Sequence, residues 1–340
     1  MKRAGFLRLL LLAPLGARQA MAAPASPDDA IRFLLRHQSD DGAWRSETYG
    51  AFRDGRALTP HVLRCLSLFD DPALASAKSK AVSWLLARTD LLDDFPIHNA
   101  SAVLAFAERI GSLAPLQDVA VKRLLVLQTS GGGWSYSPVP IAPSDSPAPM
   151  QQPNLSATAI AIDGLRAAGG QAEAITRALP FVRSCQNHST GDPAFDDGGF
   201  FQIPLDPTRN KAGRAGTDRH GKARFHSYAA ATADGLRCLL SGGISPDSAE
   251  ATAARHWLDN FLWSPSASPP DLAYYCARSI SQTASLPGGS VRAVEPLRSE
   301  LHKAALPDGS WKNPAAEMRV NDPIVATALA LEAMHERLLP

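Results

Sequence analysis

One turn recurs along this chain and limits what it can fold into. It reads Gln-x-x-x-Gly-x-aromatic, and its clearest copy is Gln128-Thr129-Ser130-Gly131-Gly132-Gly133-Trp134. A helical pattern with its apolar residues bunched on one side, Ala120 to Leu127, precedes the turn. A second helical pattern follows, opening at Asn154-Leu155-Ser156 and running to Leu165, small and apolar almost all round. A helix of that kind needs cover on more than one side. The unit repeats, and a repeat of this length outranks any local motif as a guide to the fold.

Unit one is Ala30 to Gln38, the turn closing at Gly42-Ala43-Trp44, then a helix from Leu58 through Leu66. Unit two is degenerate, with Ala81 to Leu86, Asp93-Asp94-Phe95-Pro96, and His98 to Leu104. The 120–165 stretch is unit three. Unit four runs Ala178 to Gln186, then Asp196-Asp197-Gly198-Gly199-Phe200, and after a long polar loop resumes at Phe225-His226-Ser227-Tyr228 and continues to Arg237. Unit five is weak, from Ala254-Arg255-His256-Trp257-Leu258 to Tyr274-Tyr275-Cys276. Unit six has Leu297 to Ala305, Asp308-Gly309-Ser310-Trp311, and Ile324 to Glu332.

Six pairs that alternate an amphipathic with an apolar helix predict an all-α domain over residues 23–340. The apolar helices form an inner ring and the amphipathic ones an outer ring. Neither end carries a polar capping helix, so the expected ring closes on itself; an open solenoid is the competing architecture. Within the turn, Gly supplies a positive φ at the end of the outer helix. The aromatic ring folds back to plug the seam between units, and Gln reaches backbone at the start of the next helix. The aromatic series therefore reads chiefly as a brace.

Hydrophobic residues make up 45% of the 340 and charged residues 20%, which suffices for a sizeable core. A net charge of +1 gives no global pull toward nucleic acid or anionic lipid. Lys2-Arg3, the apolar run Leu9 to Leu15 and the small-x-small site Ala20-Met21-Ala22 predict a signal peptide over residues 1–22. The run is too short to span a bilayer, so export without an integral membrane segment is expected. The four cysteines (Cys65, Cys185, Cys238 and Cys276) lack metal-site spacing. They read as small core residues, although two disulfides would be allowed in an oxidising compartment.

The turns Gln38…Trp44 and Gln128…Trp134, the stretched Gln186…Phe200, and Asp308-Gly309-Ser310-Trp311 resemble the QW-type repeat of squalene-hopene and oxidosqualene cyclases. They are also similar to the repeat of protein prenyltransferase β-subunits. Gly198-Gly199-Phe200 and Ser227-Tyr228…Thr232-Ala233-Asp234-Gly235-Leu236 look like an exported bacterial branch of that superfamily. The resemblance spans nearly the whole mature chain and implies an (α/α)6 toroid of two concentric rings. The chemistry associated with it does not carry over. The chain has no Asp-x-Asp-Asp acid, Asp271 stands five residues before Cys276 where an Asp-x-Cys zinc pair would be needed, and no Cys-Gly-Glu-Gln thioester motif is present. Neither a metal nor another cofactor is therefore expected.

Two groups of residues remain for function. Asp163, Asp234 and Glu332 lie on apolar inner helices and can project toward one lumen as an acid/base set. The i, i+3 pairs Asp163–Arg166 and Asp234–Arg237 can equally neutralise each other. At the mouth, formed by the N-terminal ends of the inner helices, His61, His98, Asn99, Asn154, His226, Tyr228, Tyr274, Asn321 and Asp322 are the ligand-binding candidates, where helix ends favour anions. The unit-four loop adds Arg209, Lys211, Arg214, Arg219, His220, Lys222 and Arg224, charges that a solvated loop explains as well. The expected ligand is small and apolar, isoprenoid-like, in the central cavity. The alternatives are a carbohydrate-active hydrolase or lyase using the three carboxylates, or a non-catalytic scaffold holding a peptide or partner protein.

Overall fold

The computed structural model describes residues 26–110, 113–139, 151–204, 206, 208–266, 272–313, 315 and 321–335. The expected leader at 1–22 and Asp271 lie outside them. Twelve α-helices follow in outer–inner pairs: α1 (Pro27–Arg36) and α2 (Leu58–Leu66); α3 (Ala75–Leu86) and α4 (Pro96–Ile110); α5 (Ala114–Leu127) and α6 (Leu155–Ala168). The second half adds α7 (Ala172–Ser184) and α8 (Ala229–Ser241), α9 (Ala249–Asp259) and α10 (Ala273–Ala284), and α11 (Val294–Ala304) and α12 (Pro323–Met334).

The helices start where the sequence provides caps. Ser26 and Asp29 form a capping box on α1, Asn154 accepts from the Ala157 N–H at 2.9 Å to open α6, and Asp322 accepts from Ile324 and Val325 to open α12. Outer helices are one-sided. In α1, Ala30, Ile31, Phe33 and Leu34 are buried while Arg32 and Arg36 face solvent. Inner helices are buried on several sides, and in α6 every residue from Leu155 to Ile162 is buried.

These inner helices pack in a closed cycle: α2 on α4, then α6, α8, α10 and α12, which returns to α2. The outer layer covers the seams, with α5 against α4 and α6, α7 against α6 and α8, α11 against α10 and α12, and α1 against α12. The molecule is thus an all-α toroid of two rings. The long unit-four loop adds an antiparallel ribbon, β1 (Arg214–Thr217) with β2 (Ala223–Phe225).

Where the turn is kept, it holds the layers together through recurring bonds. Trp44, Trp134 and Trp311, all fully buried, donate from Nε1 to the carbonyls of Leu34 (2.7 Å), Leu124 (2.7 Å) and Leu301 (2.9 Å) in their own outer helices. Gln38, Gln128 and Gln186 donate from Nε2 both within the turn and to the first turn of the next outer helix, at Ala77, Ala174 and Glu250. Gly132 has φ +87°, and a Cβ there would overlap the Arg177 carbonyl of α7, so the turn needs glycine for conformation and for space. Gly309 makes the same approach to Asp29 of α1, where a Cβ would lie 2.5 Å from the carbonyl. Arg36 also donates to the Asp308 carbonyl at 3.1 Å. Unit six therefore grips unit one as units one, three and four grip their successors. The four cysteines are free and buried, and burial pushes the Cys185 thiol up to about 12. None of the helices described is long and apolar enough to cross a membrane.

Candidate functional site

Side chains from five inner helices meet at the hub of the ring. Their level is set by the repeat. Thr59, Thr158, Thr232 and Thr327 each accept, through Oγ1, the backbone N–H of the aromatic residue closing the preceding turn, at 3.1, 3.0, 3.0 and 3.0 Å. Five residues beyond these threonines stand Arg64, Asp163, Arg237 and Glu332. Asp163 and Glu332 thus share one repeat position, which carries arginine in units one and four. Asp234 is not at this level. It stands three residues earlier on α8, nearly one helical turn, which keeps the face but changes the height.

Arginine hydrogen-bonds Glu332 and Asp234 and faces Asp163, whose Oδ2 has no partner among the described residues. Glu332 of α12 takes Arg64 Nε at 2.9 Å and Nη2 at 3.0 Å from α2, and Arg278 Nε at 2.5 Å from α10. Arg237 of α8 donates to Asp234 at 3.0 Å and faces Asp163 of α6 at 3.3 Å. Arg166, the sequence-local partner expected for Asp163, is exposed. Asp234 is fully buried and also accepts from Tyr275 Oη at 2.8 Å and Ser279 Oγ at 2.7 Å. The hub thus holds an Arg–Glu–Arg triad and an Asp–Arg–Asp triad, with excess charges of opposite sign.

Electrostatics follow from that arrangement. Burial works against the Glu332 carboxylate, but Arg64 and Arg278 outweigh it and bring its pKa down to about 2. Burial raises Asp234, and Arg237 with its hydroxyl donors only partly offsets this, because one guanidinium serves two carboxylates. Burial, then Arg64, lowers His61 to about 3; burial, then Arg64 and Arg278, lowers His98 to about 4. Both imidazoles are neutral at physiological pH. His98 is on α4, across the ring from α10, and feels Arg278 there because the two face one another across the hub.

His61 and His98 lie within the field of these arginines. Arg64 Nη2 donates to His61 Nδ1 at 2.9 Å, and a guanidinium has no acceptor, so the imidazole proton sits on Nε2. That Nε2 is buried with no partner among the described residues, a donor whose desolvation costs about 1–3 kcal/mol if nothing meets it. His98 stacks on Tyr136, centroids 5.2 Å apart and planes 17° off parallel. Above it the mouth carries Tyr49, Phe52 and Phe95 in edge and tilted contact, at 6.0 and 5.9 Å. Phe95 is held at φ +50°, a sparsely populated conformation for a bulky residue, and stays 36% exposed.

Other sequence candidates take structural places. The Asn99 side chain donates to the Leu91 and Asp94 carbonyls at 2.8 and 3.0 Å. Asn154 and Asp322 are helix caps, and Ser46 donates to the same Asp322 carboxylate. Tyr228 Oη donates to Gln202 at 3.0 Å, and His226 is exposed at the end of the ribbon. Tyr274 is buried against Trp263 with its hydroxyl on the Lys312 carbonyl at 3.5 Å; its neighbour Tyr275 is the one that reaches the hub, one position being a 100° rotation on a helix. In the loop, Arg209 and Arg224 pair with Asp206 (2.7 Å) and Asp218 (2.9 Å). The sequence reading missed Arg64, Arg278, Tyr136 and Tyr275; the overlooked signal was a lone Arg in an otherwise apolar helix, as in Leu63-Arg64-Cys65-Leu66. Among the described residues no three His, Cys, Asp or Glu side chains gather as a metal group.

Solved structures share this architecture. The apo type II terpene cyclase MstE from Scytonema is 16% identical over 91% of this chain and 96% of its own, with a TM-score of 0.59. The GH76A α-1,6-mannanase from Salegentibacter sp. HEL1_6 is 10% identical over 91% and 97%, with a TM-score of 0.60. A protein from Actinoplanes is 17% identical over 91% and 97%, with a TM-score of 0.59. No protein-family model matches the chain, nor does any curated protein sequence. The chain is an α/α toroid of the terpene-cyclase-like fold that the mannanase also has.

Proposed function

We propose that this protein binds an elongated, isoprenoid-like ligand through the mouth into the hub, and that it does not hydrolyse glycosides. The observation that carries the reading is the pinning of Asp234 and Glu332 on arginines, with Asp163 facing the same Arg237, beneath an aromatic mouth. Glycoside hydrolysis needs two carboxyl groups that can exchange a proton and attack or activate water. Glu332, held near 2 by two arginines, supplies none at neutral pH, and Asp234 already accepts from three donors. Apolar contact comes from Tyr49, Phe52 and Phe95 at the mouth. Deeper, Val325 and Leu329 precede Glu332 on one stripe of α12, at spacing i, i+4, i+7. The fold accepts such ligands elsewhere: MstE has been solved with geranylgeranyl dihydroxybenzoate as substrate. The leader-like segment at 1–22 puts this binding outside the cytoplasm in the same reading.

Organic extraction of the purified protein followed by mass spectrometry tests the proposal. An isoprenoid at near-stoichiometric yield is expected. An empty protein that also takes up no added prenyl alcohol or prenyl acid would overturn it. Incubation with α-1,6-mannan should release no reducing ends.

A further inference from the structure

The hub offers more donors than its own carboxylates use, and they gather on one side. Arg278 is 4% exposed, yet among the described residues it bonds only Glu332, through Nε, which leaves both η nitrogens available. His61 Nε2 is a second donor without a partner. Arg64 and Arg278 share the single carboxylate of Glu332, so this half of the hub carries one uncompensated positive charge. Desolvated guanidinium groups bind carboxylate and phosphate oxygens by charge-assisted hydrogen bonds. The opposite half, Asp163–Arg237–Asp234, is acidic, and its donors are turned inward on Asp234.

We infer that the hub contains an anion subsite formed by Arg278, Arg64 and His61, and that the ligand enters with an acidic head group, carboxylate or phosphate, seated there and its apolar part toward the mouth. This rests on the proposed isoprenoid-like reading and names the ligand's head. Arg278 closes the subsite because its η nitrogens are uncommitted. Arg64 is already engaged by Glu332 and His61, so it supplies charge more than new bonds. His98, across the hub on α4, faces the seated group from the other side as a neutral ring.

Titration calorimetry at pH 7 with three probes of one chain length, geraniol, geranic acid and geranyl phosphate, tests this on the full-length protein. Geranic acid or geranyl phosphate should bind at least tenfold tighter than geraniol, and the preferred one identifies the head group. In Arg278→Met, where the Arg64–Glu332 pair remains, the advantage should shrink to less than threefold while geraniol binding is kept. Arg278→Lys should retain part of the advantage and guards against loss of packing in the Met variant. Equal binding of acid and alcohol, or an advantage that survives Arg278→Met, would overturn the subsite and leave the isoprenoid-like reading standing. Failure of all three probes to bind would overturn that reading itself.

Discussion

Glu332 shows most directly what a single residue does in this hub. Its carboxylate is 3% exposed and separates two guanidinium groups, so removing its charge leaves both uncompensated. Its folded pKa lies near 2 against a usual 4.5, a difference worth about 3 kcal/mol. Glu332→Gln should cost about that much in urea unfolding at pH 7. A depressed carboxylate stabilises fully above its unfolded pKa, so the gap between wild type and variant should hold down to about pH 4.5 and close as the pH falls toward 2. The imidazoles act in a different window. His61 and His98 take up protons only near 3 and 4 when folded but near 6.5 when unfolded, so acid destabilises the protein from about pH 6.5 downward. Their 15N imidazole shifts should stay in the neutral form from pH 8 to pH 5; a titration midpoint near 6.5 for both rings would contradict their enclosure beside Arg64 and Arg278. These side chains were only half legible in the sequence. Asp163 and Glu332 could be aligned, but partners such as Arg237 and Arg278 come from other helices, and nothing local announces them. Polar residues at helix starts, such as Asn154 and Asp322, look alike in sequence whether they cap a helix or greet a ligand.

At the scale of the element, the sequence was far more informative, because the recurring turn is a local device with a local cause. Its glycine, its Gln and its aromatic residue each have one place to go, and the structure puts them there in units one, three and four. Gly132→Ala should destabilise by well over about 1 kcal/mol, since the added Cβ meets strain and the α7 backbone together. Gly213→Ala, at φ +79° with nothing within 4 Å, isolates the conformational part and should cost less in the same thermal melts. A Gly132→Ala protein as stable as the Gly213→Ala protein would mean that this turn does not seat against the next unit. Units two and five were faint because they lack the full turn. Trp263, for instance, donates to Ala273 of the following helix, at 2.9 Å, where Trp44, Trp134 and Trp311 turn back to the preceding one. The β1–β2 ribbon was hidden in a polar stretch with no alternation to mark it.

On the scale of the whole molecule, closure decides whether there is a hub at all. The contact of α12 with α2 and the seating of Gly309 on Asp29 turn six local pairs into a ring, and a ring places residues remote in sequence, such as Arg64 and Glu332, face to face. That long-range pairing explains why the fold could be read from the repeat while the character of the hub could not. Apolar residues of the inner helices largely make the helix-to-helix seams, and Arg, Asp, Glu and Tyr side chains meet at the hub. The most direct test is a crystal soaked in bromide and measured at the bromine edge. An anomalous peak within bonding distance of Arg278 Nη and His61 Nε2 is the predicted result. Bromide confined to the outer surface, with the hub filled by protein side chains, would contradict the account.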